Sequence, residues 1–303
     1  MKIEAAVVSS FDRPPAYEPL ELPEPVGPDQ AVADVLAVGL HPRVRSGAAG
    51  RHYTSTGKLP MVPGIDGVGR LADGRVVYFV ADDDLVGPMA TRTVIDTRRS
   101  IELPTGADVA QIAAAMNPAM SSWVALRRRV PLQPGQSVLV LGATGNAGAM
   151  AMRVAELLGA GRVIGAARRP SGDVVALSDV AQVAAEVDVV LDYLWGQPAS
   201  DAMMAILKAR ADRSRELNWI QIGSVAGPTI DLPSVALRSA NFRLQGNGQG
   251  AVSPRAYLAE LPSLIAEITA GHLALKTRSK PLADVETVWT APEAPGVRTV
   301  LTP

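Results

Sequence analysis

Residues 138–159 read VLVLGATGNAGAMAMRVAELLG: an apolar run, a glycine-rich turn and a long helical stretch without interruption. Val138 to Leu141 has the solid apolar texture of a strand covered on both faces. The turn Gly142-Ala143-Thr144-Gly145-Asn146-Ala147-Gly148 then opens a helix. In a dinucleotide fingerprint the three small positions fall on Ala143, Gly145 and Gly148. The middle one lets the backbone approach a pyrophosphate, and the last lets the helix pack closely on the strand. The helix N-terminus supplies N–H donors and the positive end of a dipole. A glycine turn alone is a weak signal. The strand before it, the helix after it and the apolar strand beyond make dinucleotide binding the expectation.

The following strand, RVIGAARR (162–169), is due to end beside the adenine ribose. An acidic residue there accepts from the 2′-hydroxyl of NAD. This chain has Ala167, then Arg168 and Arg169. A guanidinium suits a 2′-phosphate through paired charge-assisted hydrogen bonds, so NADPH is the expected cofactor. The alternative is a pair of solvated arginines at a strand end.

Solid apolar runs recur in DVVLDYL (188–194) and WIQIGSV (219–225), with Ala-rich helical stretches between some of them. Residues 113–250 therefore read as βαβ units of a doubly wound parallel sheet, an α/β fold. Gly223 and Ser224 close WIQIGSV at a strand C-terminus, where ligands of open α/β sheets bind. NFRLQG (241–246) reads as the last strand, and an apolar edge strand invites pairing with a second copy. Residues 1–112 have another texture. The short runs EAAVVSS, AVADVLAVG, VVYFVA and MATRTVID are broken by Pro and Gly, which predicts an irregular, mostly antiparallel β domain. A helix start falls near Asp108 in LPTGADVAQ. Residues 251–303 supply one helix over 253–272, capped by Ser253 with Pro254 at its first position and ended by Gly271. A short helix in PLADVETVW and a final strand in VRTVLTP follow. The run Arg127-Arg128-Arg129 reads as cations near a helix C-terminus.

Composition narrows the chemistry. The 303 residues are 48% hydrophobic and 19% charged, with a net charge of −1. That balance exerts no global pull on nucleic acid or an anionic membrane. No apolar run approaches the roughly 18 residues of a membrane span. The N-terminal MKIEAAVVSSFDRPP carries acids and turn residues in place of a signal core, so a cytoplasmic protein is expected. There is no cysteine, which removes disulfides and thiolate zinc sites; the histidines are His41, His52 and His272. No metal is expected.

PGIDGVG (63–69), LQPGQSVLVLGATGNAG (132–148), DVVLDYLWG (188–196) and PLADVETVW (281–289), in that order, resemble the medium-chain dehydrogenase/reductase superfamily. The branch that the chain resembles is the zinc-independent, zeta-crystallin-like quinone oxidoreductases. The resemblance implies a GroES-like β-rich catalytic domain, a Rossmann domain inserted in it, a cofactor in the cleft between, and a homodimer. It also implies that Ser121, in NPAMSSW, approaches the nicotinamide, and that Asn247, in LQGNGQG, serves the same cofactor. For Ser121 the competing reading is a helix serine bonded to local backbone. Zinc-dependent relatives carry metal ligands where this chain has Gly64-Ile65-Asp66, and Asp66 reads as a polar turn residue. The passage from Arg169 to Asp188 is shorter than usual, with VVALSD (174–179) as a third strand whose preceding helix is lost. In GLHPRVRSG (39–47), His41 takes the place of the family's Asn in a loop of altered length.

Without a metal, polarising a simple alcohol is difficult. A quinone or an α,β-unsaturated carbonyl is already electrophilic and needs chiefly hydride positioning and a home for developing negative charge. Tyr53, in RHYTSTGKLP, is the candidate donor to the substrate oxygen, or else a packing residue. His41 either does the same or orients its loop. Trp123 and Trp195 read as packing. The expected activity is NADPH-dependent reduction of a quinone or enone. Alternatives are an enoyl-thioester reductase of fatty-acid or polyketide metabolism and a non-catalytic NADPH-binding sensor.

Overall fold

The computed structural model describes residues 1–81 and 86–303. The chain forms two compact units, Met1–Asn117 with Ile265–Pro303, and Pro118–Leu264. In the first unit, β1 (Lys2–Val7) and β2 (Ala16–Glu21) make an antiparallel pair. The strands β3 (Gln30–Gly39), β4 (Asp66–Leu71), β5 (Val76–Val80), β6 (Arg92–Asp96) and β7 (Ser100–Glu102) follow. The long β3 pairs antiparallel with both β4 and β6, β5 joins β4, and β7 joins β5. Helix α1 (Pro42–Ala48) leaves β3 with Pro42 in its first turn, where a missing N–H costs nothing.

Helix α2 (Val109–Val124) starts at Asp108, whose carboxylate accepts from the amides of Ala110 and Gln111 at 3.0 and 3.1 Å. It continues through Pro118 and widens into a π-turn over Ala125–Arg129.

The second unit is built on a parallel sheet. Its strands are β8 (Ser137–Leu141), β9 (Arg162–Ala167), β10 (Val175–Ala176), β11 (Val189–Asp192), β12 (Leu217–Gln221) and β13 (Phe242–Gly246). Helix α3 (Asn146–Leu157) crosses between β8 and β9. The spatial order β10-β9-β8-β11-β12-β13 is the 3-2-1-4-5-6 order of a dinucleotide-binding sheet, so the topological switch point lies between β8 and β11. Leu139, Leu141, Val190, Met203, Ile206 and Trp219 are wholly or almost wholly buried in its core. Each such side chain contributes about 1.5–3 kcal/mol relative to exposure. The third strand survives as the two residues of β10, followed directly by a 3-10 turn at Leu177–Asp179. β13 is the edge strand.

The stretch read as one helix over 253–272 is two, Pro254–Leu258 and Leu261–Thr269. Ser253 caps the first, its Oγ accepting from Ala256 N at 3.2 Å. Pro262 offers no N–H to continue that helix and instead sits in the first turn of the second. The chain then adds β14 (Lys276–Pro281), parallel to β15 (Val297–Thr302), which joins β3 antiparallel. This closes a seven-stranded sheet in the first unit. The protein is α/β, a mostly antiparallel β-rich unit with a doubly wound parallel-sheet unit.

Candidate active site

The glycine turn follows β8 at the switch point of the parallel sheet. Gly142 N and Ala143 N donate to Ala166 O of β9 at 2.8 and 3.2 Å, folding the turn onto the neighbouring strand. Gly142 has φ +88°, a conformation that side chains resist. A Cβ on Gly148 would stand 2.2 Å from Gly142 O, so the close approach of α3 to the turn demands glycine. Gly145 differs. A Cβ there would meet only Gly142 O, at 3.5 Å, an ordinary contact. Among the described residues nothing requires Gly145 to lack a side chain; Thr144 and Gly145 are exposed, and Gly145 caps α3 without a side-chain oxygen. First-turn amides of α3, from Asn146, Ala147 and Gly148, thus lie behind an open glycine. A cradle of this form fits a pyrophosphate.

At the end of β9, Ala167 is buried while Arg168 and Arg169 are exposed. Among the described residues neither arginine makes a hydrogen bond or an ion pair.

On the other side of the switch point, several side chains converge. Asn247, just after β13, donates from Nδ2 to Ser121 O at 2.8 Å, and its backbone N donates to Gln221 O at 2.8 Å. Ser121 Oγ lies 2.9 Å from the Tyr193 hydroxyl and also donates to Pro118 O at 3.2 Å. The local-backbone bond of Ser121 is therefore present, and the same hydroxyl also meets Tyr193. Burial pushes the Tyr193 hydroxyl up to about 12, with the Ser121 hydroxyl opposing, so Tyr193 stays protonated as a fixed partner. Gly223 sits where a Cβ would be 2.6 Å from Tyr193 O, holding the ends of β11 and β12 together, and Ser224 is the exposed residue beyond it. Asp192 is fully buried and accepts from Leu194 N, Trp195 N and Trp219 Nε1 at 2.8, 3.0 and 3.1 Å; burial raises its pKa. Trp195 packs partly buried against the core of this unit, and Trp123 is buried.

Tyr193, Asp192 and Gly165 were not singled out from the sequence. A Cβ on Gly165 would meet Ala143 Cβ at 2.8 Å, so β9 carries its own small residue beneath the turn. Tyr193 had a legible signal, its place one residue beyond an apolar parallel strand. The run Arg127–Arg129 does close a helix, in the π-turn that ends it, but its cations also have side-chain and loop partners. Arg127 and Arg128 both bond the carboxylate of Glu260, itself 2% exposed, and Trp123 Nε1 donates to it at 3.2 Å.

In the first unit, His41 is 1% exposed at the N-cap of α1, with Nε2 3.3 Å from Asp66 Oδ1. Burial lowers its pKa, outweighing the Asp66 carboxylate, so the ring is neutral. Asp66 is not a polar turn residue: it is buried at the head of β4 and accepts from the Tyr78 hydroxyl at 2.9 Å. Of the two readings of His41, the orienting one is what this geometry supports. Tyr53 is 69% exposed, its ring centroid 4.3 Å from that of His52. His52 Nδ1 accepts from Thr54 N at 3.3 Å and lies 2.9 Å from Thr54 Oγ1, which accepts from Arg43 at 2.6 Å. Burial and the Arg43 charge lower His52 to about 4. Arg43, Thr54, Thr56, Met61 and Ile65 line a pocket of this unit. Among the described residues no three His, Cys, Asp or Glu side chains converge as metal ligands.

No family model matches the chain. A probable NADPH-dependent quinone reductase of Emericella nidulans is 30% identical over 99% of this chain and 100% of that one. The chain belongs to the quinone oxidoreductase family of the medium-chain dehydrogenase/reductase superfamily. The quinone oxidoreductase of Thermus thermophilus, solved also in complex with NADPH, shares the fold with a TM-score of 0.80, 24% identity, and coverage of 99% of this chain and 100% of that one. A trans-enoyl reductase of Aspergillus terreus matches over 44% of this chain and 42% of its own length, at 26% identity.

Proposed function

We propose that the protein is an NADPH-dependent oxidoreductase that transfers hydride to a quinone or other α,β-unsaturated carbonyl without a metal. The observation that carries this reading is the open cradle at Gly145, backed by the α3 amides and followed by two unpaired arginines. The family relation to a probable NADPH-dependent quinone reductase supports the same reading. In the reaction, quinone, NADPH and a proton give hydroquinone and NADP⁺, the cofactor supplying the hydride. The α3 amides hold the pyrophosphate, Arg168 and Arg169 the 2′-phosphate, and Ser121, Gly223, Ser224 and Asn247 frame the nicotinamide end. Tyr53 donates a hydrogen bond to the oxygen that gains charge. His41 orients the loop ahead of α1.

NADPH oxidation measured side by side against quinones, enals and enoyl thioesters, with a chelator present throughout, tests the whole reading. Turnover of quinones or enals that survives chelation is expected. Loss of all turnover with the metal would overturn the metal-free reading. The partial match to a trans-enoyl reductase favours enoyl thioesters as the second reading, and preferential turnover of those would establish it. Stoichiometric NADPH binding with no turnover of any acceptor would make the protein a sensor.

Tyr53→Phe keeps the ring and removes one donor. Its kcat is expected to fall roughly 10- to 1000-fold, as for deletion of an oxyanion donor. An unchanged rate for every acceptor would return Tyr53 to packing.

The assembly we propose is a homodimer in the cytoplasm. β13 is the edge strand of the parallel sheet, which a second copy can extend. No described helix is long and apolar enough to cross a membrane, and the net charge of −1 offers nucleic acid no attraction. Sedimentation is expected to return a particle of two chains; a monomer at micromolar concentration would count against pairing through β13.

A further inference from the structure

The loop Gly246–Ala251, GNGQGA, carries Asn247 yet has three glycines in six residues. Such a sequence loses much conformational entropy on ordering and does not hold one geometry alone. One guanidinium fastens it. Arg129 donates from Nε to Gly246 O at 3.0 Å and from NH1 to Ala251 O at 3.0 Å, bonding both ends of the loop at once. We infer that Arg129 is a positioning residue for the nicotinamide half of the cofactor site, acting through Asn247; the inference rests on the NADPH reading above.

The route is short and closed. Ser121 lies in α2, and Arg129 ends the π-turn that continues it. At about 1.5 Å of rise per residue, eight residues put the two about 12 Å apart along the helix. The loop bridges that span. Asn247 ties it to Ser121 O, and Arg129 ties its two ends to the far turn. Ser121 in turn meets Tyr193. The wider π-turn lets consecutive arginines serve different partners: Arg127 and Arg128 end on the buried Glu260, and Arg129 reaches the loop carbonyls. A planar fork suits two carbonyls where an ammonium would serve one. Inside the loop, Ala251 N donates to Gly248 O at 3.0 Å, so the fastened ends also set the turn that follows Asn247.

The experiment compares two ligands on the full chain: NADPH, and 2′,5′-ADP, which keeps the adenosine and 2′-phosphate but lacks the nicotinamide. Arg129→Gln is expected to weaken NADPH binding about tenfold while leaving 2′,5′-ADP within about twofold. Arg129→Lys keeps one bond and should fall between. Asn247→Ala should show the same ligand selectivity, and the double variant should lose no more than Asn247→Ala alone. Arg128→Gln, which leaves Arg127 and Trp123 on Glu260, should change neither affinity. Equal loss for both ligands, unchanged NADPH binding in Arg129→Gln, or additive losses in the double variant would overturn the inference. Absence of NADPH binding to the unmodified protein would instead remove the cofactor reading, and this inference with it.

Discussion

Gly145→Ala is expected to leave the fold in place and weaken NADPH binding by roughly 10- to 150-fold, whereas Gly148→Ala is expected to damage the fold itself. The two glycines lie three residues apart in one turn, but their surroundings differ. At Gly148 the added Cβ would meet Gly142 O at 2.2 Å, Gly142 C at 2.7 Å and Ala143 Cα at 2.8 Å. All three are backbone, so no side chain can swing aside, and α3 must retreat from β8. Overpacking of this kind costs about 1–3 kcal/mol. For a chain of this size that is a fall in Tm of about 2–4 °C per kcal/mol. At Gly145 the added Cβ would meet, among the described residues, only Gly142 O at 3.5 Å, and φ is −80°, a value any residue adopts. The cost in the free protein is that of a poorer N-cap, about 1 kcal/mol at most. The methyl group instead fills the space the pyrophosphate must enter. Losing charge-assisted bonds of about 1.5–3 kcal/mol corresponds to the stated range of affinity. Thermal melts of the free variants, paired with NADPH titrations, separate the two effects. Equal loss of stability in both would mean that Gly145 serves the fold and that the cradle argument fails.

Much of this could be read in advance because it is local. A strand buried on both faces must be a solid apolar run, so β8, β9, β11 and β12 announced themselves, and the turn after β8 was legible from its glycines. Asp108 as a helix cap and β13 as the edge strand were equally local readings. What escaped depends on distant partners. Ser121 meets Tyr193 across 72 residues, and Glu260 gathers Arg127 and Arg128 from more than 130 residues away. No periodicity encodes such pairings. The arginine run reads correctly as a charged helix end, but its buried carboxylate lies in another segment and leaves no local sign. The same segment, 253–272, looked like one helix because its apolar spacing runs on through Pro262, and only backbone hydrogen bonding divides it. Asp66 reads as a polar turn residue in PGIDGVG because glycine and proline surround it. It is instead the buried first residue of β4, and its partners His41 and Tyr78 lie 25 and 12 residues away.

Arg168→Ala is expected to raise the KM for NADPH by roughly 10- to 150-fold and to leave NADH within about twofold. On the proposed reading the pyrophosphate sits over the N-terminus of α3 at Gly145, and this sets where the adenosine lies. β9 is parallel to β8 and adjacent to it, so on that reading its end at Ala167 would lie beside the ribose. Ala167 is 3% exposed and has no group to accept from a 2′-hydroxyl. Arg168 and Arg169 follow, exposed, with no partner among the described residues to compete for their donors. Because β10 is only two residues long and no helix precedes it, little structure covers this end of the sheet, and the guanidinium groups are free to turn onto a phosphate. A 2′-phosphate gains a charge-assisted bond there; a 2′-hydroxyl gains almost nothing. Removing the charge therefore discriminates between the cofactors rather than weakening both. Arg169→Ala, measured alongside, shows how the work divides between the two. Adding Ala167→Asp to Arg168→Ala should move preference toward NADH, since a carboxylate repels the phosphate and accepts from the hydroxyl. In this buried position the carboxylate is costly until the ribose hydroxyls bond it, so the gain for NADH should appear together with lower stability of the free protein. Steady-state kinetics with both cofactors decide the matter: equal use of NADPH and NADH by the unmodified protein would refute the role given to Arg168.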